Sequence, residues 1–223
     1  MLAKYPQSHV AHANLGNAYR RKGEYDLAIE SFKQALALQP HSRTYANLGA
    51  VYRALGRIDE AKAEYDKALA SNEQSKEAHF GLGIVHLVAG ELDEAEAEYL
   101  RALEIDPHYE EARVNLGSLY LRKGDRAKAI AAYLQALETN PYFADGHYNL
   151  GVLYAQAGQT EEAMHSYANA ISIDPKNIAA RLNYGVLLFN SGEKDKAVAQ
   201  FRAVLNIDPN NGAAKKALMQ IGA

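Results

Sequence analysis

The chain has 223 residues, of which 48% are hydrophobic and 23% are charged, and its formal net charge is -3. This composition excludes wholesale disorder, and no apolar run reaches the roughly 18 residues that a membrane-spanning helix needs. The pI of about 6.2 argues against a nucleic-acid-binding protein, and the lack of cysteine excludes disulfides, a thiolate metal site and a cysteine nucleophile.

Proline and glycine recur along the chain with a period of 34 residues. The prolines are Pro6, Pro40, Pro107, Pro141, Pro175 and Pro209, and the proline missing from the series falls at Glu73. Two glycine series keep the same period: Gly16, Gly49, Gly83, Gly117, Gly151 and Gly185, and Gly23, Gly56, Gly90, Gly124, Gly158 and Gly192. A fixed period between 20 and 50 residues predicts a repeat architecture.

The repeats divide the chain into six units between two short remainders. With 34 positions in a repeat, numbered from His9, the first repeat is one residue short. The predicted repeats span 9–41, 42–75, 76–109, 110–143, 144–177 and 178–211. Residues 1–8 are predicted to be the tail of a preceding second helix, and 212–223 a C-terminal capping helix.

Each repeat is predicted to form two helices. Apolar residues at positions 7, 10 and 11, and again at 20, 24, 27 and 28, have helical spacing. The glycine at position 15 ends the first helix in a left-handed conformation, and the proline at position 32 ends the second. The predicted fold class is therefore all-α, an α-solenoid of antiparallel helix pairs.

The recurring residues resemble the tetratricopeptide repeat family, whose pattern is W-x2-L-G-x2-Y, A-x3-F, A and P. Position 7 is leucine in five repeats, position 20 is always alanine, and position 24 is always tyrosine or phenylalanine. Position 4 departs from the family's tryptophan, being His12, Tyr45, His79, Arg113, His147 and Arg181. The resemblance implies a right-handed superhelix whose first helices line a concave groove, and a non-catalytic scaffold that binds an extended or helical peptide segment.

Asparagines form a ladder along the implied groove. Position 6 holds Asn14, Asn47, Asn115, Asn149 and Asn183, and Asn17 is at position 9. An asparagine amide both donates and accepts, so it can hold a peptide backbone or serve the scaffold itself. The ladder is similar to the superhelix of O-GlcNAc transferases. Gly81 interrupts it, which leaves room for a bulky ligand group or for Phe80.

The rest of the groove is predicted to be basic at one end and apolar beyond it. The first two repeats supply Arg20, Arg21, Arg43 and Arg53, and later repeats supply Phe80, Ile84, Tyr148 and Val152. The arginines suit acidic side chains or a terminal carboxylate, or form a solvated face. The apolar stripe is either a binding surface or is covered by the curvature of the array.

The sequence predicts no enzyme, metal site or cofactor. His9 and His12 form H-x-x-H on one helix, but two ligands do not make a metal site. No phosphate loop, nucleophile elbow or H-E-x-x-H motif is present.

The expected partner is a protein or a peptide, with no nucleic acid and no membrane insertion. Two alternatives remain open: a recognition arm of a larger enzyme such as an O-GlcNAc-type glycosyltransferase, and a protein that self-associates through uncapped terminal repeats. The first residues lack the apolar segment of a signal peptide, which favours a cytoplasmic location.

Overall fold

A computed structural model describes residues 8–222, in which thirteen α-helices follow one another and no strand occurs. Each first helix begins at the residue from which its repeat is numbered, and short loops join it to the second. The prediction of an all-α solenoid of helix pairs is confirmed. The helices are α1 (His9–Lys22), α2 (Tyr25–Leu38), α3 (Ser42–Ala54), α4 (Ile58–Ser71), α5 (Lys76–Ala89), α6 (Leu92–Ile105), α7 (Glu110–Arg122), α8 (Arg126–Thr139), α9 (Ala144–Gln156), α10 (Thr160–Ile173), α11 (Ile178–Asn190), α12 (Lys194–Ile207) and α13 (Gly212–Ile221).

The helices group into two compact blocks. The N-terminal block extends to Leu119, and the C-terminal block starts at Tyr120, within α7. The predicted helix tail at 1–8 lies outside the described residues except for Ser8, whose hydroxyl accepts a hydrogen bond from the Ala11 N–H and caps α1. Residues 212–221 form α13, which packs against α12.

The ring at position 24 is the centre of each repeat. These six rings are 2% exposed or less: Phe32, Tyr65, Tyr99, Tyr133, Tyr167 and Phe201. The glycine at position 8 lets the first helix approach the ring closely. In five repeats a Cβ on this glycine would lie 2.5 to 2.8 Å from the ring, closer than any real Cβ contact.

The loop inside each repeat requires a left-handed backbone conformation at the glycine of position 15. The six glycines at position 15 have φ between 73° and 83°, which confirms the predicted left-handed cap. A Cβ added to Gly23 or to its five counterparts would meet no atom within 4 Å, so the conformation alone requires glycine here.

The loop between repeats is closed by a turn at position 31. This residue is Asn72, Asp106, Asn140, Asp174 or Asp208, and its Oδ1 accepts the N–H two residues later at 2.9 to 3.1 Å. Such Asx turns are stable without proline. The loop at Glu73, where the proline is missing, therefore closes like the others.

The residues that replace tryptophan at position 4 hold the same loop. His79 Nε2, His147 Nε2 and Arg181 Nε lie 2.9 to 3.0 Å from the backbone carbonyl oxygen six residues earlier. Arg113 donates to the equivalent oxygen of Pro107. A polar side chain at position 4 thus satisfies a carbonyl that the turn leaves unpaired.

Candidate functional site

The first helices of the N-terminal block enclose a pocket of about 270 Å³. Side chains of α1, α3, α5 and α7 line it, together with one ring from α4 and one from the loop before α7. We call it the first-helix pocket, and its lining residues are Arg20, Ala46, Asn47, Ala50, Arg53, Tyr65, Glu77, Phe80, Gly81, Ile84, Tyr109 and Glu111.

Five of the groove residues expected from the sequence meet in this pocket. They come from α1, α3 and α5, so helices more than 60 residues apart in sequence contribute to one surface. These residues are Arg20, Asn47, Arg53, Phe80 and Ile84. These five residues bring two guanidinium groups, one amide and two apolar side chains to one pocket.

The space above Gly81 is taken by Tyr65 of the preceding repeat. A Cβ on Gly81 would lie 2.3 Å from Cε1 and Cζ of this ring. The glycine therefore admits a ring from the protein itself, and neither a ligand group nor Phe80 accounts for it. Burial raises the pKa of Tyr65, while the charge and the hydrogen bond of Arg53 act in the opposite direction.

The charges of the pocket are separated along the helices. Arg20 and Arg53 lie in the last turns of α1 and α3, whereas Glu77 and Glu111 are the second residues of α5 and α7. The Nε atoms of both arginines are buried and have no hydrogen-bond partner among the described residues. The pocket therefore has a basic end and an acidic end.

Aromatic rings form one wall of the pocket. The ring of Phe80 lies 5.2 Å from that of Tyr109 and 5.9 Å from that of Tyr99, both tilted. Lys76 Nζ lies 4.9 Å from the centre of the Tyr109 ring. Burial raises the pKa of the Tyr109 hydroxyl, and the charges of Glu111 and Glu77 raise it further. Tyr109 is therefore a neutral ring in the wall of the pocket.

Two pocket rings were missed by the sequence analysis. Tyr65 was assigned to the core because every repeat has a ring at position 24, and Tyr109 sits at the last position of its repeat. A signal existed for Tyr109, because position 34 is aromatic only here and at Phe143.

Other predicted groove residues of the N-terminal block lie outside the pocket. Asn14 and Arg21 are exposed, and Asn17 is half-buried. Arg43 is exposed and lines a separate cavity beside Gln74 and Lys76. The Asn115 amide donates to the Glu111 carbonyl at 2.8 Å, one helical turn earlier.

In the C-terminal block the predicted residues have mainly scaffold contacts. Asn183 Nδ2 donates to the Tyr167 hydroxyl at 3.3 Å, and the Tyr148 ring lies 6.0 Å from that of Tyr167. Burial raises the pKa of Tyr167 to about 12, against the opposing effect of the Asn183 hydrogen bond. Val152 packs on the same cluster, while Asn149 is half-buried.

The described residues contain neither a group of metal ligands nor a membrane-spanning helix. Within 8–222, no three histidine or acidic side chains are grouped as a metal ion would require. No helix in this range has both the length and the apolar character needed to cross a membrane.

Sequence comparison identifies the family. Models of the tetratricopeptide repeat match residues 46–110 and 114–178, and further models match 7–74 and 154–221. The chain belongs to the tetratricopeptide repeat family. A search of curated proteins gives no match to this tetratricopeptide repeat chain.

Solved tetratricopeptide repeat structures share the fold. Pseudomonas aeruginosa pilF is 20% identical with a TM-score of 0.84, and the match covers 95% of this chain and 97% of that one. YrrB, described as having an unusual peptide-binding site, is 23% identical with a TM-score of 0.66, covering 86% and 99%. A chain of the APC/C Cut9–Hcn1 hetero-tetramer is 17% identical with a TM-score of 0.80; the match covers 99% of this chain but only 44% of that one.

Proposed function

We propose that the protein is a non-catalytic interaction scaffold whose first-helix pocket binds an extended peptide segment carrying one acidic side chain. The observation that carries this proposal is the convergence of Arg20 and Arg53, from two repeats, on one concave pocket that also holds Asn47. Two guanidinium groups can bind a carboxylate with several charge-assisted hydrogen bonds. The Asn47 amide can bind the peptide backbone beside it.

The other end of the pocket sets a limit on the ligand. Glu77 and Glu111 line the same cavity, and either would repel a second carboxylate placed near it. The pocket is therefore suited to a single acidic residue flanked by neutral or basic residues. A run of acidic residues suits it poorly.

Fluorescence anisotropy with labelled peptides tests this proposal. The probes are extended peptides with a central Asp, a central Asn or three successive Asp residues in an otherwise constant neutral sequence. We expect the single-Asp peptide to bind most tightly. The double variant Arg20→Gln/Arg53→Gln should weaken its binding about tenfold, because charge-assisted hydrogen bonds are lost, and the difference should shrink at high salt.

A matched variant controls for net charge. Arg21→Gln/Arg43→Gln removes the same two charges from exposed residues that do not line the pocket. It should leave the affinity within about twofold, as remote surface charges are screened. Equal losses in both variants, or equal binding of the Asp and Asn peptides, would contradict the assignment of the arginines. Circular dichroism verifies folding, because Arg53 also contacts Tyr65.

The remaining sequence-based ideas stay predictions. They are the recognition arm of a glycosyltransferase, self-association through terminal repeats, and a cytoplasmic location. No observation on the described residues favours one of them over the scaffold proposed here.

A further inference from the structure

The C-terminal block carries a larger groove on another face of its helices. This α8–α10 groove has a volume of about 760 Å³ and lies between the second helices α8 and α10, with α9 as its floor. The floor is formed by positions 4, 7 and 11 of the first helix, including His147 and Leu150. These positions differ from 2, 5, 6, 9 and 12, which line the first-helix pocket. A second cavity of about 320 Å³ shares Leu137 and His147 with this groove and extends it.

Repeat five lacks a contact between its two helices that repeats three and six form. In repeat three, His79 Nδ1 lies 2.6 Å from Glu98 Oε2, and in repeat six Arg181 Nη1 donates to Gln200 at 2.8 Å. Each contact joins position 4 to position 23 of the second helix. In repeat five, position 23 is Ser166, whose hydroxyl donates to its own helix at 2.8 Å. His147 therefore has no long side chain opposite it at this position.

The groove combines apolar and acidic surface. Leu134 and Leu137 of α8 line it, and Leu134 is 43% exposed although it is a large apolar side chain. Glu138, Glu161 and Glu162 are exposed along it, and no lysine or arginine lines it. Among the described residues, none of these three carboxylates is in an ion pair, and the Glu162 carboxylate accepts only a hydrogen bond of 3.4 Å from Gln159. The groove thus exposes apolar surface beside unpaired negative charge.

We propose that the α8–α10 groove is a second docking site, which binds a basic amphipathic segment of a partner protein. Apolar side chains of that segment would lie on Leu134 and Leu137, and its lysine or arginine residues would face the three glutamates. Charge complementarity selects a basic partner, because an acidic or neutral segment would leave the carboxylates unpaired. The site is independent of the first-helix pocket, which lies in the other block and is suited to the opposite charge.

Binding of a synthetic probe tests the charge requirement. The probe is a fluorescein-labelled amphipathic peptide of about 14 residues built only from Leu and Lys, a length that allows a short helix. Two peptides with Glu or Gln in place of Lys serve for comparison. We expect the Lys peptide to bind most tightly, and Glu161→Gln/Glu162→Gln to weaken it about fivefold through the loss of two partly exposed pairs.

Residues at equivalent helix positions provide matched controls. Asp93 and Glu94 occupy the same two positions in the first turn of α6 as Glu161 and Glu162 in α10. Asp93→Asn/Glu94→Gln therefore removes the same net charge and the same helix-dipole interaction, and it should change the affinity by less than about twofold. An equal loss in both variants would mean general attraction to acidic surface and would overturn the proposal.

A second pair of variants tests the apolar part of the groove. Leu134 in α8 and Leu100 in α6 are at the same repeat position and are 43% and 41% exposed. Leu134→Gln should weaken the Lys peptide about tenfold through lost apolar contact, while Leu100→Gln should not. Unchanged binding to the Leu134 variant, or equal binding of the Gln peptide, would also overturn the proposal. Both substitutions are at exposed positions, and circular dichroism verifies that the variants fold.

Discussion

At the scale of single residues, Gly81 and Tyr65 form a pair that crosses from one repeat to the next. Glycine inside a helix normally costs about 1 kcal/mol relative to alanine. Here its missing side chain lets the Tyr65 ring reach the first-helix pocket from a second helix. A ring that belongs to the core by its repeat position is thereby also part of the binding surface.

The first prediction concerns this pair. Gly81→Ala should lower the free energy of unfolding by about 1 to 3 kcal/mol, since overpacking against Tyr65 exceeds the gain in helix propensity. Urea unfolding measures the change. Gly212→Ala is the control, because a Cβ there meets no atom within 4 Å and no loss is expected. If Tyr65→Leu does not reduce the cost of Gly81→Ala in a double-mutant cycle, the ring is not the cause.

The sequence predicted part of the pocket at this scale. Arg20, Asn47 and Arg53 were identified because their repeat positions face the groove. Tyr65 was not, because a repeat position assigns one environment to a side chain, whereas a long ring can contact the core at its base and a pocket at its tip. The absence of a side chain at Gly81 decides where the Tyr65 ring lies. Apart from the glycine itself, the neighbouring sequence does not indicate this contact.

At the scale of helices and loops, the aspartate at position 31 of repeat three both closes the turn and forms an ion pair. Asp106 Oδ1 accepts the His108 N–H at 2.9 Å, and its Oδ2 lies 2.5 Å from Lys76 Nζ. The ion pair lowers the pKa of Asp106 and raises the pKa of Lys76. Asn72 and Asn140 make the same turn without a charge, so turn and ion pair are separable.

The second prediction distinguishes the contribution of the turn from that of the ion pair by its dependence on pH. Asp106→Asn keeps the turn acceptor and should cost about 0.5 kcal/mol at neutral pH, as expected for a partly exposed ion pair. The folded-state pKa of Asp106 is lowered, so this contribution is present above the unfolded pKa of about 3.9 and disappears as pH falls through the folded value. Because the pKa of Lys76 is raised, the stabilisation from the ion pair is also lost as pH rises through the folded-state pKa of Lys76.

Urea unfolding from neutral to acidic pH measures the difference between the wild-type protein and this variant. Asp174→Asn is the control, because Asp174 makes the same turn without an ion pair among the described residues. The effect of Asp174→Asn on the free energy of unfolding should not vary with pH in the way expected for loss of the Asp106–Lys76 ion pair. A cost of Asp106→Asn that persists below the folded pKa of Asp106 would assign it to the turn.

Helix starts were predictable from the sequence because glycine and proline mark both loops of every repeat. The Asx turn was not predicted, although asparagine or aspartate stands at position 31 in five repeats. The end of the second helix was predicted from the proline at the next position instead. The loop at Glu73 shows that the turn does not depend on it.

At the scale of the whole molecule, the repeat architecture predicts that a destabilising substitution affects mainly the helices near it. Each repeat contacts mainly its neighbours, so stability is approximately a sum of repeat and interface contributions. In the Gly81→Ala variant, hydrogen exchange should accelerate most in α4 and α5, while amides of α12 and α13 keep their wild-type rates. Equal acceleration in all helices would instead indicate one cooperative unit.

The period of glycine and proline predicted the number of repeats, and the spacing of apolar residues predicted the helical fold. The α8–α10 groove was not predicted, because its lining depends on how α8, α9 and α10 pack together. The sequence also did not show that Ser166 donates to its own helix, whereas position 23 contacts position 4 in repeats three and six.

The six left-handed glycines also bear on the chirality of the chain. At position 15 the backbone has φ between 73° and 83° in all six repeats. Positive φ is the favoured region of D-amino acids, the mirror image of what L-residues prefer. A D-alanine in place of Gly158 would favour the φ of 76° that this glycine adopts while restricting the unfolded chain. These loops are therefore sites where a chemically synthesised chain accepts a building block that ribosomal synthesis does not supply.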